Sequence, residues 1–197
     1  MRGRQQAARG DQGCQRLTPA RARGFAALCN RAGLLPPGYR LDLARPEHLP
    51  SLLQLARECF AYNTPTSAEL RHAILRGHGA LFRVATVDND RTVAYSLIEC
   101  NQRTRSIYAN ATCATADVRG QGLGRLLVRL RTDLARRLGY RSIRTHIAVD
   151  NVVSLHITQA AGYRIYDTLP DYYEDGQAAH CLRLLVDAGA RPSGGPS

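Results

Sequence analysis

The chain alternates between two hydrophobic rhythms, one suited to strands and one to helices. Tyr39 to Ala44 (YRLDLA) alternates apolar with polar positions, which predicts a strand. From Glu47 to Phe60, Leu49, Leu52, Leu53, Leu55, Ala56 and Phe60 recur at helical spacing. A second helix is predicted over Ser67 to Arg76, with Thr66 or Ser67 as its cap and Gly77 and Gly79 as its stop. Leu81 to Val87 and Thr92 to Cys100 flank Asp88-Asn89-Asp90, whose turn chemistry predicts a hairpin. After the polar turn Asn101 to Arg105, Ile107 to Ala114 reads as a third strand of the meander.

The clearest pattern comes next. Leu123, Leu126, Leu127, Leu130, Leu134 and Leu138 lie on one helical stripe closed by Gly139, with Arg125, Arg129, Arg131, Asp133, Arg136 and Arg137 off it. Ser142 to Val149 is a strand whose second face carries Arg144, His146 and Ala148. A short helix, Asn151 to Ala161, ends at Gly162, and the strands Tyr163 to Asp167 and His180 to Val186 bracket the loop Leu169 to Gly176. Upstream, Thr18 with Pro19 opens a short helix through Asn30 that Gly33 to Gly38 (GLLPPG) breaks. Beyond that helix the order is β-α-α-β-β-β-α-β-α-β-β. The fold class is α/β (α+β): a mixed, mostly antiparallel central sheet flanked by helices.

Charge divides this picture into parts. Formal net charge is +11, and with no lysine in the chain all 27 basic residues are arginine. That excludes a Walker-A phosphate loop, a Schiff base and a lysine general base. Residues 1–37 hold seven of the arginines and a single acid, Asp11. They are expected to be an arginine-rich extension, partly helical or disordered, ahead of one domain over 38–190 and a flexible tail over 191–197. The excess charge fits either a nucleic-acid surface or a solvated arginine face, the second being the simpler reading. The six cysteines are scattered, with no C-x-x-C pair and no histidine at metal-ligand spacing, so they read as small hydrophobes in a reducing compartment, with no metal. No apolar run approaches the ~18 residues of a membrane span. The early residues lack a secretory apolar region, and the first 50 lack the serine of a transit peptide. A cytoplasmic location is expected.

Candidate chemistry gathers around Arg119-Gly120-Gln121-Gly122-Leu123-Gly124. A dinucleotide fingerprint starting at Gly120 would need its third glycine at 125, where Arg125 stands. What remains is a turn relieved of Cβ atoms ahead of a helix whose first amides lack acceptors and carry about half a unit of positive charge. Such a terminus is either an ordinary glycine turn or a backbone cradle for phosphate.

This segment resembles the R/Q-x-x-G-x-G/A motif of the GNAT superfamily of acyl-CoA-dependent N-acyltransferases. Downstream, NVVSLHITQAAGY (Asn151 to Tyr163) is similar to that family's N-x-x-A-x-x-L-Y-x-x-x-G-F segment, and the spacing and element order also agree across residues 39–187. The resemblance implies acetyl-CoA as co-substrate. Its diphosphate would lie on the backbone of Gly120 to Arg125, with Arg119 as counter-charge. Thr112, Cys113 and Ala114 would line the pantetheine and thioester, an amide near Ala114 would polarise the carbonyl, and Asn151 would hold the pantetheine arm as well as cap its helix. An amine nucleophile must lose a proton first. His146 stands where N-terminal-amine acetyltransferases of this family often carry a glutamate, and Glu99 is the second candidate base. Thr158 occupies the usual position of the tyrosine acid. Ser154, Tyr172, Tyr173 or solvent would have to stand in for that tyrosine.

Leu169 to Gly176 (LPDYYEDG) resembles the last hairpin loop of peptide N-terminal acetyltransferases, including the ribosomal-protein alanine type. Tyr172 and Tyr173 would hold the acceptor, and Glu174 with Asp175 would attract its amine. The implied partner is therefore an amine-bearing peptide or protein N-terminus. The alternatives are a small-molecule amine, such as an aminoglycoside or polyamine, and a non-catalytic acyl-CoA-binding module. A homodimer is left open, and neither nucleic acid nor membrane is an expected partner.

Overall fold

The computed structural model describes residues 14–60, 64–75 and 79–186. Expectations that fall on residues 1–13, Arg76, Gly77 and the C-terminal tail lie outside these. In chain order the elements are α1 (Pro19–Arg31), β1 (Tyr39–Leu43), α2 (Leu49–Cys59), α3 (Ser67–Leu75), β2 (Gly79–Thr86), β3 (Thr92–Asn101), β4 (Ser106–Ala114), α4 (Leu123–Leu138), β5 (Ser142–Ala148), α5 (Val152–Ala160), β6 (Arg164–Leu169) and β7 (Ala179–Leu185). The seven strands form one sheet in the order β1-β2-β3-β4-β5-β7-β6. Only β4 and β5 run parallel, with α4 as their crossover.

Local chemistry accounts for the boundaries. The α3 terminus is a capping box: Thr66 Oγ1 accepts from Glu69 N at 3.2 Å, and Glu69 Oε2 accepts from Thr66 N at 2.7 Å. Pro46 opens a short 3₁₀ turn over Pro46–His48, so α2 begins two residues later than its apolar spacing suggests. Gly79, expected to stop α3, is instead the first residue of β2. A Cβ there would lie 2.0 Å from the Ile98 carbonyl oxygen, so the close approach of β2 to β3 requires glycine.

Two buried clusters sandwich the sheet. Leu52, Leu55, Leu70, Leu81, Tyr95 and Leu97 join α2 and α3 to one face, while Phe25, Phe82, Ile98, Leu127, Leu134 and Ile143 join α1 and α4 to the other. Adjacent residues such as Leu81 and Phe82, or Leu97 and Ile98, go to opposite clusters, as strand alternation requires. The leucine stripe of α4 is buried as its spacing predicts.

Two features depart from expectation. Helix α1 is part of the core, burying Ala22, Phe25, Ala26 and Cys29, so the boundary expected between residues 37 and 38 passes through one packed unit. Phe25 meets Phe82 edge-on with ring centroids 6.0 Å apart. Replacing Phe25 with alanine is expected to cost about 3–5 kcal/mol in denaturant unfolding, the range for emptying a buried ring site. An appended helix would show almost no change. Arg131 is the second departure: it is buried at 6% exposure, its guanidinium lies 5.1 Å from the centre of the Tyr163 ring, and its Nε donates to the Tyr163 hydroxyl at 3.0 Å. Among the described residues, no helix is long and apolar enough to cross a membrane.

Candidate active site

The site begins where two parallel strands part. The β4–β5 ladder holds only Ser106 with Ser142, Ile107 with Ile143 and Tyr108 with Arg144. Just past it, the β3–β4 register slips: Leu97 pairs with Ala111 and Ile98 with Ala109, leaving Asn110 as a bulge. Thr145 Oγ1 donates to the Ala109 carbonyl at 2.9 Å, and beyond this point β4 has no partner strand on its β5 side. The gap widens into a cleft of about 1180 Å³ between the strand ends, α4, α5 and the β6–β7 loop.

One end of the cleft has the chemistry that suits an anion. Gly120 and Gly122 both take φ +81°, a left-handed conformation glycine adopts without penalty, with open space where a Cβ would stand. Gly122 is the N-cap of α4 and brings no side-chain acceptor, so the first amides of this 16-residue helix remain free to bind an anion. Arg119 and Arg125 are exposed and line this end. Gln121 turns its side chain away, its Oε1 accepting from the Tyr39 hydroxyl at 2.9 Å, and the Leu123 side chain enters the core. These two positions offer backbone only. Thr112, Cys113 and Ala114 form the β4 wall. Asn151 lines the opposite side, its Oδ1 capping α5 through Ser154 N at 3.0 Å while the amide nitrogen stays available.

The other end is a row of rings. His146 projects from β5 on the face opposite the core residues Ile143 and Ile147, as the alternation of the strand predicts. The hydroxyls of Tyr108 and Tyr172 lie 2.9 and 2.8 Å from His146 Nδ1, and Tyr173 stacks edge-on against Tyr172 at 5.0 Å between centroids. The loop that delivers Tyr172 is held tight because the amides of Tyr172 and Tyr173 both donate to the Gln177 carbonyl at 3.0 Å. Burial, with Arg144 nearby, pulls His146 below its ordinary pKa. Burial and the Tyr172 hydrogen bond push Tyr108 up, and burial with Tyr172 beside it pushes Tyr173 up to about 12. These shifts favour the uncharged imidazole of His146 and the protonated phenols of Tyr108 and Tyr173.

The remaining candidates separate. Ser154 and the buried Thr158 line the cleft on α5. Glu99 is exposed, outside the cleft wall, and reaches it only by accepting from Asn110 Nδ2 at 3.2 Å. Glu174 is exposed on the loop, also outside the wall. Sequence reasoning passed over Tyr108, Cys59 and Arg131, all of which line the cleft. Strand alternation could have turned Tyr108 away from Ile107 and Ala109, but its meeting with His146 depends on a pairing between strands separated by a whole helix. Among the described residues, no three His, Cys, Asp or Glu side chains gather at metal-binding distance.

The parallel pair opened by a bulge thus has a glycine-lined helix terminus at one end and a histidine between tyrosine hydroxyls at the other. Residues 49–163 match the model of the acetyltransferase (GNAT) family, and the chain belongs to that family, whose enzymes transfer an acetyl group from acetyl-CoA to an amine. Solved structures share the fold at low identity. The ribosomal-protein-S18-alanine N-acetyltransferase from Escherichia coli is 15% identical with a TM-score of 0.68, covering 78% of this chain and 97% of its own. Ard1 from Thermoplasma volcanium is 18% identical at 0.67, covering 76% and 98%. The spermidine N-acetyltransferase from Vibrio cholerae in complex with CoA and spermine is 17% identical at 0.65, covering 77% and 97%. A search of curated proteins finds no match to the chain.

Proposed function

We propose that the chain acetylates the free N-terminal amine of a peptide or protein, with His146 as the base. The row formed by Tyr108, His146, Tyr172 and Tyr173 at the open end of the strand gap carries this reading. The cleft fits CoA on its own features: two left-handed glycines with empty space above them, a helix N-terminus without a side-chain cap, flanking arginines and an unpaired strand edge. The backbone of Gly120 to Arg125, with Arg119, would hold the diphosphate, and Thr112 to Ala114 with Asn151 would hold the pantetheine. Bound acetyl-CoA supplies a thioester carbonyl that an amine can attack.

The residues of the chain manage the proton. With Nδ1–H donating to a tyrosine oxygen, His146 Nε2 is the basic nitrogen, and it has no other protein partner among the described residues. It accepts the proton the ammonium group must lose, directly or through a water, and the two phenol oxygens around Nδ1 stabilise the resulting imidazolium. Tyr172 and Tyr173 supply ring faces and hydroxyls to a peptide backbone entering over the β6–β7 loop. Thr158 contributes no acid in the tyrosine range.

Charge favours a peptide over a polyamine. Asp150 is the one carboxylate among the described residues that line the cleft, against Arg119, Arg125 and Arg131. A polycation needs several carboxylates, whereas an N-terminal amine brings one charge and leaves amides for the tyrosines. The test is thiol release from acetyl-CoA with short peptides bearing free or blocked N-termini, beside spermidine and an aminoglycoside. Free peptides should turn over, and blocked peptides should give background only. If spermidine outpaces every peptide the acceptor assignment falls, and CoA binding without turnover on any amine would leave a binding module.

A further inference from the structure

Cys59 is the last residue of α2, and its thiol donates to the Ala114 carbonyl at 3.2 Å. Ala114 is the β4 residue at the mouth of the glycine turn, and Arg119 Nε donates to the same carbonyl at 3.4 Å. A second thiol, Cys113 on β4, packs against the same buried cluster as Cys59. Cys59, Cys113, Ala114 and Arg119 all line the cleft. Two thiols, an arginine and a strand carbonyl therefore meet on the wall that the reading above gives to the pantetheine and thioester.

The six described cysteines are not equivalent. Burial raises Cys14, Cys29, Cys100, Cys113 and Cys181, which leaves them protonated at neutral pH. Cys59 moves the other way, to about 7, because the Cys113 thiol and the Arg119 guanidinium support its thiolate against partial burial. A thiolate, not a thiol, is the nucleophile, and of the six cysteines Cys59 is the one whose thiolate is favoured.

We propose that Cys59 is a self-acylation site: when no amine acceptor is present, its sulfur takes the acetyl group from acetyl-CoA in the cleft. The inference rests on the acetyl-CoA reading of this cleft. The Cys59 thiolate adds to the thioester carbonyl carbon, the bond from that carbon to the CoA sulfur breaks with its electron pair on sulfur, and the proton lost by Cys59 ends on CoA. One thioester replaces another, so no oxidant or reductant is consumed and the exchange is reversible. The acetylated fraction then follows the ratio of acetyl-CoA to CoA. Acetyl-Cys59 would also fill the wall at Ala114, so the modified protein should bind a second acetyl-CoA more weakly.

The full chain, incubated with acetyl-CoA alone and read by intact-mass and peptide mass spectrometry, should gain about 42 Da on Cys59. Neutral hydroxylamine or excess CoA should remove it. Cys59→Ser should take no adduct, Cys113→Ser should still take one, and Gly122→Asp should take none because acetyl-CoA no longer binds. Calorimetry with acetyl-CoA on the same samples separates two failures. Binding with no adduct, or an adduct on another residue, overturns the assignment of Cys59. No binding at all overturns the cleft reading, and this inference with it.

Discussion

Replacing Gly122 with aspartate is expected to abolish CoA binding while leaving the fold in place. The position is left-handed at φ +81° and caps α4, and aspartate is among the few side chains that tolerate both. Its carboxylate would occupy the space above the free amides, accept the hydrogen bonds meant for phosphate and add a like charge. At an effective dielectric near 20, two like charges 4 Å apart repel by about 4 kcal/mol, roughly a thousandfold in affinity, before the lost hydrogen bonds are counted. Calorimetric titration with CoA beside a thermal melt is the measurement. Unchanged affinity with an intact melt would place the diphosphate elsewhere.

The second large effect is expected from His146→Ala. A positioned base contributes about 10²–10⁴-fold, so turnover should fall at least a hundredfold, while CoA affinity stays within about twofold because the diphosphate contacts proposed at Gly120 to Arg125 lie at the other end of the cleft. The pH profile carries the sharper signature. His146 must be neutral to accept a proton, and burial with Arg144 lowers its pKa. Wild-type kcat/KM should hold on its acid side to below the ordinary histidine value of about 6.5 and fall as pH drops through the lowered pKa. In the alanine variant that limb should vanish. An unaltered rate and profile would make His146 a structural residue held by Tyr108 and Tyr172.

Much of this molecule was legible in the sequence because its signals are local. The leucine stripe of α4, the alternation of β5 and the turn residues between β2 and β3 each act within one element, and their physics does not wait for the rest of the chain. The glycine turn at one end of the cleft was legible for the same reason: Gly120, Gly122 and the first turn of α4 come from one continuous segment. The row of rings at the other end resisted. Tyr108 joins His146 only because β4 and β5 pair across α4, and Tyr172 reaches Nδ1 only because the Gln177 carbonyl cinches its loop. The arginine density of residues 1–37 masks the apolar face that α1 presents through Ala22, Phe25, Ala26 and Cys29. The burial of Arg131 was equally hidden, since nothing local announces that Tyr163 will offer it a ring and a hydroxyl.

The bulge at Asn110 changes the parity of β4. In an uninterrupted strand, Tyr108 and Cys113, five positions apart, would face opposite sides of the sheet. The extra residue places Ala111 in the cluster beneath α2 and α3 and Ala109 in the cluster beneath α4. The phenol beside His146 and the thiol beside Cys59 consequently share a side. One residue of slack lets a single strand present a phenol-bearing half and a thiol-bearing half to the same chamber.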